Sequence, residues 1–463
     1  MLRSRLADWM VFVGVLLTLA SVGLLSSVLA DWEHANGSRR MQKLTVNVDR
    51  SAASSGSAGL ELKEAEQLAN KWSPLPIALS AKGQTGAVFG NVTLNSDVFG
   101  VNANYRDFAE LKMKTGTSIL QTSVAEHSRV AVISAQVADK LFRSAQVVGK
   151  TIELYGVPFT IIGVYDNNVS LLRHMSDDGV PDVLIPVTAM FDVNRDARID
   201  TVQLAAKPDA AIRGEAQAKD ALRAIGANPS LYRIENDLLA HVRITQWRAL
   251  LLFACGAIAL LLLLRLIFRQ CVAVYASLRR KLSTHDWPDA IRDERRLLLK
   301  CSFAVLAMAA CAAGLWELIR FRPYIPLDWI PEQIIDVSFY MEKLRSLWQQ
   351  QAAQSGYVPS PHELLAGAAG QLAGGLFFTG AVLGLPLFLL GVRLWAMGRM
   401  SVSVQLQRLF LYMPVTAAAR WAGTDYRIDP LEYAVFCVLF IVAIFHSDKK
   451  LKGVKYSHAE YHS

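Results

Sequence analysis

The chain has 463 residues, 52% of them hydrophobic and 19% charged, with a formal net charge of +8. Soluble domains carry nearer 25% charged residues, and the apolar excess sits in a few long runs. This excludes a purely soluble enzyme and a disordered chain, and it leaves a membrane protein with few spans and one sizeable polar domain.

Charge is equally local. Residues 31–247 hold 23 Lys and Arg against 24 Asp and Glu, so the positive excess lies in the segments flanking the apolar runs. There it reports topology, not nucleic-acid binding. All five cysteines, Cys255, Cys271, Cys301, Cys311 and Cys437, lie in or beside apolar runs. No Cys/His pair has zinc-site spacing, so neither a disulfide framework nor a metal centre is expected.

The first apolar run, Trp9–Ala30, follows a short basic head with Arg3 and Arg5. Val28-Leu29-Ala30 resembles a cleavage site, but the stretch exceeds the apolar core of a signal peptide and reads as an uncleaved span. Residues 1–30 are therefore expected to form span 1 and 31–246 the polar domain. Within that domain, Ser51–Gly59 reads as a loop and Glu61–Lys71 as a helix. Gly86–Leu94 and Asp97–Ala103 read as strands. Asn104–Met113 reads as a helix, Asn104 being a cap and Phe108 and Leu111 sharing a face. Arg129–Ser134 is a compact apolar strand and Ala135–Phe142 a helix. Thr151–Tyr155 and Phe159–Tyr165 form a hairpin about Gly156-Val157-Pro158. Strands at Asp182–Val187 and Thr201–Ala206 and a helix over 208–225 complete an α+β pattern.

Span 2 is expected at 247–268, then a loop over 269–301, span 3 at 302–319, a loop over 320–363 and span 4 at 364–396 with Pro386 as a kink. A terminal segment, 397–463, contains a shorter apolar helix at 431–446. That helix either crosses or lies as a re-entrant or interfacial element, so the span count is four with a fifth left open. Residues 269–300 carry eight Lys and Arg, whereas 321–363 carry three. The positive-inside rule then puts 269–301 and the terminal segment in the cytoplasm, and 31–246 and 320–363 outside. Gly370, Gly374, Gly380 and Gly384 lie at small-residue spacings that let another helix approach closely. Pro331–Gln354 suits an amphipathic helix lying on the outer leaflet or against the polar domain.

Ser144-Ala-Gln-Val-Val-Gly149-Lys150-Thr151 is a near match to a phosphate loop. It lacks the first Gly and is followed by strand residues, Ile152–Tyr155, where a helix N-terminus is required. His127 and His174 have no second ligand nearby in sequence, and Asp177-Asp178 with Asp182 reads as a solvated loop. No catalytic, cofactor or metal residue is expected in this chain. In the inner loop, Asp286 can cap a helix whose first turn holds Trp287 and Pro288. Acids fall early, and Arg292, Arg295 and Arg296 follow, as the helix dipole favours. This is either a helix on the anionic membrane surface or a docking element, with Asp286, Trp287, Arg292 and Arg295 as its contact residues.

Tyr105-Arg-Asp-Phe108 with Gly116, then Arg129–Ser134 with Ala138 and Leu141-Phe142, Val148–Ile152, Phe159–Val164 and Val183–Pro186 together resemble the periplasmic core domain of MacB-like and FtsX-family ABC permeases. The order of span, domain, span, basic loop, span, outer loop and span is similar to that family's plan. The resemblance implies a permease subunit in the bacterial inner membrane, with its large domain outside the cytoplasm. It further implies a separate cytoplasmic ATP-binding subunit that holds the ATP, and a second permease copy or relative in a dimer. A peptide-like or lipid-like substrate or an envelope protein would engage the outer domain. The other reading is a non-transporting scaffold or sensor whose outer domain binds an envelope protein.

Overall fold

In the computed structural model, residues 2–49, 59–166, 182–282, 287, 292, 294–325, 329–331, 336–353, 360–398, 400–418 and 429–459 are described. The Ser51–Gly59 loop, for all but its last residue, His174, Asp177-Asp178 and Asp286 lie outside them. Two compact units share the chain. One comprises residues 29–244 and 324–370, the other 1–28, 245–323 and 371–463.

The first unit is built on a ten-stranded mixed sheet. Its strands are β1 (Lys43–Val48), β2 (Ile77–Phe89), β3 (Val92–Val101), β4 (Lys112–Gly116), β5 (Val130–Ser134), β6 (Thr151–Leu154), β7 (Val157–Asp166), β8 (Asp182–Pro186), β9 (Thr201–Ala205) and β10 (Tyr232–Asn236). The order is β10-β1-β9-β2-β3-β8-β5-β7-β4, with β6 pairing both β2 and β7. The pairs β3–β8 and β5–β7 are parallel. The first and last strands lie side by side: β1 and β10 pair antiparallel, Thr45 facing Glu235 and Val46 facing Ile234.

Local chemistry explains the turns. Gly90 supplies a positive φ of 58° at the first turn position of the β2–β3 hairpin. The β6–β7 hairpin turns on Tyr155-Gly156, with φ of 52° and 76°. Both signs fit the I′ geometry that matches strand twist. The turn is therefore one residue earlier than the Gly-x-Pro reading, and Val157 and Pro158 begin the returning strand. Ser134 Oγ accepts from Val137 N at 3.4 Å and starts the helix Ala135–Phe142, which stops at Arg143 in a left-handed conformation.

Asn104–Met113 does not form one helix. Only Tyr105–Phe108 is helical, and Lys112–Gly116 is β4, paired with β7. The carbonyl of Phe108 is taken by the buried Lys43 ammonium at 2.8 Å, and Lys-Met-Lys-Thr alternates with period two, as an edge strand does. Gly116, at φ 75°, lies so close to Ile162 that a Cβ there would strike the Ile162 carbonyl.

Two large apolar clusters pack on this sheet, over its two halves. One gathers Val98, Ile133, Val164 and Ile185 with Val137 and Leu141 of the short helix. The other gathers Leu44, Val46, Val202 and Leu204 with Leu68 and Trp72 of helix Leu62–Trp72 and Leu222 of helix Ala210–Ala224. Trp72 is buried, donates its Nε1–H to the Ala205 carbonyl at 2.9 Å and carries Lys207 Nζ 4.2 Å from its ring.

The second unit is helical. Among the described residues, five helices are long and apolar enough to cross a membrane: Arg5–Ala35, Asp237–Arg280, Arg295–Ile319, His362–Met397 and Pro430–Asp448. The last belongs to a helix, Pro430–Ala459, longer than the apolar core at 431–446. The helix Asp237–Leu282 has 46 residues, about 69 Å at 1.5 Å per residue, and runs well beyond the apolar core at 247–268. The fourth apolar stretch comprises helix Pro361–Phe378, a π-helical turn Thr379–Gly384 and helix Leu385–Met397. Pro386 cannot donate to the carbonyl four residues back, and the wider turn just before it accommodates that loss.

The bundle core is a set of stripes at helical spacing: Val11, Val15, Leu19 and Val22, then Leu251, Cys255 and Ala259, then Phe388, Val392 and Trp395, then Phe436, Leu439 and Phe440. Helix Arg295–Ile319 buries only Ala312, Leu315 and Ile319, and leaves Phe303, Leu306 and Trp316 exposed, the apolar surface that lipid requires.

Two measurements follow. Trp72→Ala removes a large buried side chain and orphans the Ala205 carbonyl, so it should destabilise the polar domain, expressed as residues 31–246, by about 3–5 kcal/mol. Denaturant unfolding reads this, and an unchanged midpoint would refute the packing described. In the bundle, a Cβ at Gly391 would lie 2.7–2.8 Å from Val11, whereas one at Gly375 meets nothing within 4 Å. Gly391→Ala should lower the melting temperature in detergent, at a cost of about 1–3 kcal/mol, and Gly375→Ala should not.

Candidate functional site

The expected glycine face divides among partners. Gly370 lies 3.8 Å from Ile244 in one unit, measured from an ideal Cβ, and Gly374 lies 4.0 Å from Trp247 in the other. Gly380 approaches Ser21 and Leu251 at 3.0–3.2 Å, and Gly384 approaches Thr18 at 2.5–3.0 Å. Gly14 meets Phe388 across the same contact. Thus Gly380 and Gly384 face the first helix closely, Gly370 and Gly374 make ordinary contacts, and Gly14 and Gly391 belong to the close set that sequence spacing missed. Their partners lie hundreds of residues away.

Two polar clasps join the bundle helices. Asp8 accepts from Trp395 Nε1 at 2.8 Å and from the Arg408 guanidinium. Arg248 Nη2 meets Glu432 Oε1 at 2.5 Å. Charges near the ends of apolar helices are costly unless paired, and these are paired.

In the inner segment, Trp287 and Arg292 are helical and exposed, and Arg295 opens the helix Arg295–Ile319 on an exposed face. Trp287 has 61% of its surface open. Exposed Arg279 and Arg280 close the preceding helix. Trp287 is thus an open aromatic, and Asp286 lies outside the described residues.

The near phosphate loop does not have phosphate-loop geometry. Gly149, at φ 87°, leads through Lys150 into β6, and Lys150 Nζ sits 5.2 Å from the Phe142 ring. No helix N-terminus follows to aim amides at a phosphate. His127 meets Asp192 at 2.7 Å, both exposed.

A group of polar side chains lies beside the β1–β10 pair. Asp237, the first residue of its helix, is 2% exposed. Its Oδ2 accepts from Thr45 Oγ1 at 2.7 Å, and its Oδ1 faces His362 Nε2 at 2.8 Å. Arg233 Nε lies 3.4 Å from Glu363 Oε1 and 3.8 Å from Glu235 Oε1. Burial pushes the Glu235 carboxyl up to about 8, with the neighbouring Glu363 and Asp237 charges adding to it. Burial also pushes Lys43 down to about 8, against the pull of Asp237. Nearby, Glu33 Oε1 meets His241 Nε2 at 2.7 Å. Sequence spacing gave no sign of this cluster, because residues 235–237 and 362–363 meet only through the fold.

A multi-pass membrane protein with an α/β sheet domain is the class that this architecture defines. Residues 11–225 match the family described as MacB-like periplasmic core domain. The macrolide export ATP-binding/permease protein MacB of Neisseria gonorrhoeae strain FA 1090 is 30% identical over 129 residues, 27% of this chain and 19% of that protein. The matched stretch thus spans about a fifth of that relative's length. The periplasmic region of MacB from Actinobacillus actinomycetemcomitans is 18% identical over 42% of this chain and 89% of that one, with a TM-score of 0.36. The extracellular domain of the ABC-type transporter YknZ from Gram-positive bacteria is 18% identical over 42% of this chain and all of that one, with a TM-score of 0.33. The MacB-like periplasmic core domain is thus what residues 11–225 of this chain are similar to.

Proposed function

We propose that the chain is the permease subunit of an ABC-type system that passes ATP-driven motion from a separate cytoplasmic ATPase to its outer domain. Four of its apolar helices cross the membrane, the sheet domain lies between the first and second, and Pro430–Asp448 is either a fifth crossing or a re-entrant or interfacial helix. The permease works as a dimer with a second copy or a relative. ATP binds on the partner subunit, and this chain carries no catalytic centre. Its product is extraction or export of a peptide-like or lipid-like substrate, or a mechanical signal to an envelope protein.

The observation that carries this reading is helix continuity. Helix Leu2–Ala35 ends just before β1, and helix Asp237–Leu282 begins immediately after β10 without a linker. A displacement at the basic end of the second helix therefore has one continuous helix along which to travel. The apolar helices also carry few charges, and the clasped pairs Asp8–Arg408 and Arg248–Glu432 hold helices together. A solute path through the bundle would need polar lining, so motion relayed along the helices fits better than conduction.

Coupling is tested at Trp287. Aromatic anchors dominate interfaces, and truncating one costs about 2 kcal/mol or more, which weakens association roughly thirtyfold. Trp287→Ala should therefore release a co-purified ATPase in detergent, where anionic lipid is absent, and Arg292→Glu and Arg295→Glu should add to the loss against an acidic groove. Retention of the ATPase by Trp287→Ala would move docking elsewhere, to the stretch 405–427. Purification without any ATPase would favour the scaffold or sensor reading. Orientation has its own check. In a cysteine-free background, Ser230→Cys and Ser338→Cys should react with an impermeant thiol reagent on cells whose outer envelope has been opened, and Ser403→Cys should not.

A further inference from the structure

We propose that Glu235, Asp237 and His362 form a binding site for a divalent metal ion of the zinc type, which fastens the turn at 360–363 to the corner where β10 becomes a helix. One oxygen from each carboxylate and one ring nitrogen of His362 lie within 4.8 Å of one another. Tetrahedral bonds of about 2.0–2.1 Å to nitrogen and oxygen are reached by small side-chain rotations from that spacing. A ligand set of one imidazole and two carboxylates suits zinc or its neighbours in the first transition row, whereas calcium and magnesium favour oxygen alone.

The positions are set by the backbone. Glu235 and Asp237 are two residues apart where β10 ends, so their side chains leave the chain on one side. His362 comes from the first turn of helix Pro361–Phe378. That turn is fixed by a reciprocal cap: Ser360 N donates to Glu363 Oε2, and Glu363 N donates to Ser360 Oγ, both at 3.2 Å. Asn47 Nδ2 donates to Ser360 Oγ at 3.1 Å and ties the cap to β1.

An outer shell is also in place. Thr45 donates to the Asp237 oxygen that His362 does not face. Arg233 holds Glu363 beside the group. Such partners orient ligands and resemble the second shell of metal sites. Three carboxylates, Glu235, Asp237 and Glu363, crowd here against Arg233, Lys43 and His362. Metal ligands bind deprotonated, so a dication bound between them displaces protons from the group to solvent and relieves the repulsion among the carboxylates.

The test uses the full chain in detergent, purified without a histidine tag and stripped with EDTA. Zinc is titrated in competition with a chromophoric chelator, and cobalt(II) is titrated to read visible ligand-field bands. We expect one ion per chain with a dissociation constant in the micromolar range or below, and intense cobalt bands of four-coordinate type. His362→Gln and Glu235→Gln should each weaken binding about tenfold or more, as loss of a supporting group typically does, and abolish those bands. His127→Gln, at the exposed His127–Asp192 pair, should leave both unchanged. Absence of binding to the wild type overturns the proposal, and so does equal binding by the wild type and both variants. Glu235 is partly exposed, so Glu235→Gln keeps the test decisive if His362→Gln fails to fold; near-ultraviolet circular dichroism reports folding for each. The experiment needs no ATPase, and its failure would leave the permease reading standing.

Discussion

Pairing of β1 with β10 is the constraint on which the outer domain depends. It brings residues nearly two hundred positions apart into one ladder, Leu44 facing Asn236 and Val48 facing Tyr232. β1 is thereby held beside the strand that runs directly into helix Asp237–Leu282. The pairing is reinforced by buried polar groups: Thr45 to Asp237, Lys43 to the Phe108 carbonyl, and Asn236 Nδ2 to the Ala210 carbonyl at 2.7 Å. Lys43 at the start of β1 is 1% exposed. A buried ammonium is tolerated only with acceptors and counter-charge at hand, so its placement fixes register as well as energy. Slipping β1 by one residue would turn Lys43 to the opposite face and strand it.

In the helical unit the organising feature is close approach. Lipid supplies no hydrophobic drive between helices, so packing and polar contacts must hold the bundle. Gly14, Gly380, Gly384 and Gly391 remove the side chains that would keep the first and fourth apolar stretches apart. Asp8 ties the first helix to Trp395 and Arg408, and Arg248 ties the second to Glu432. The exposed apolar residues of Arg295–Ile319 fit the same solvent, because a lipid-facing helix has no reason to hide them.

Much of the fold was legible because its signals are local. The strand at 130–134, its capped helix and the hairpin after it all read from alternation, a Ser cap and a Gly turn. The apolar runs were evident, and the periplasmic-domain resemblance rested on those same segments. What failed were elements decided by distant partners. Residues 104–113 looked helical until Lys43 claimed the Phe108 carbonyl and β7 claimed β4. The Gly156-Val157-Pro158 turn shifted because Tyr155 adopts a positive φ that residue type does not announce. The Asp237–His362 group joins two segments with no shared motif, so no spacing rule could find it. Trp287 and Arg295 are exposed, and exposure alone does not say what an aromatic or a cation meets.

The π-helical turn at Thr379–Gly384 changes the phase of the fourth apolar stretch. One extra residue in a turn sets everything after it back by about 100° relative to an unbroken α-helix. Gly374 thus faces Trp247, while Gly384 and Gly391 face the first helix, and one stretch of chain serves two neighbours. A wheel drawn with a single period through 361–397 misassigns its second half. Sequences aligned through this segment need a one-residue gap wherever a relative lacks the wide turn, and residues beyond it are comparable only after that shift.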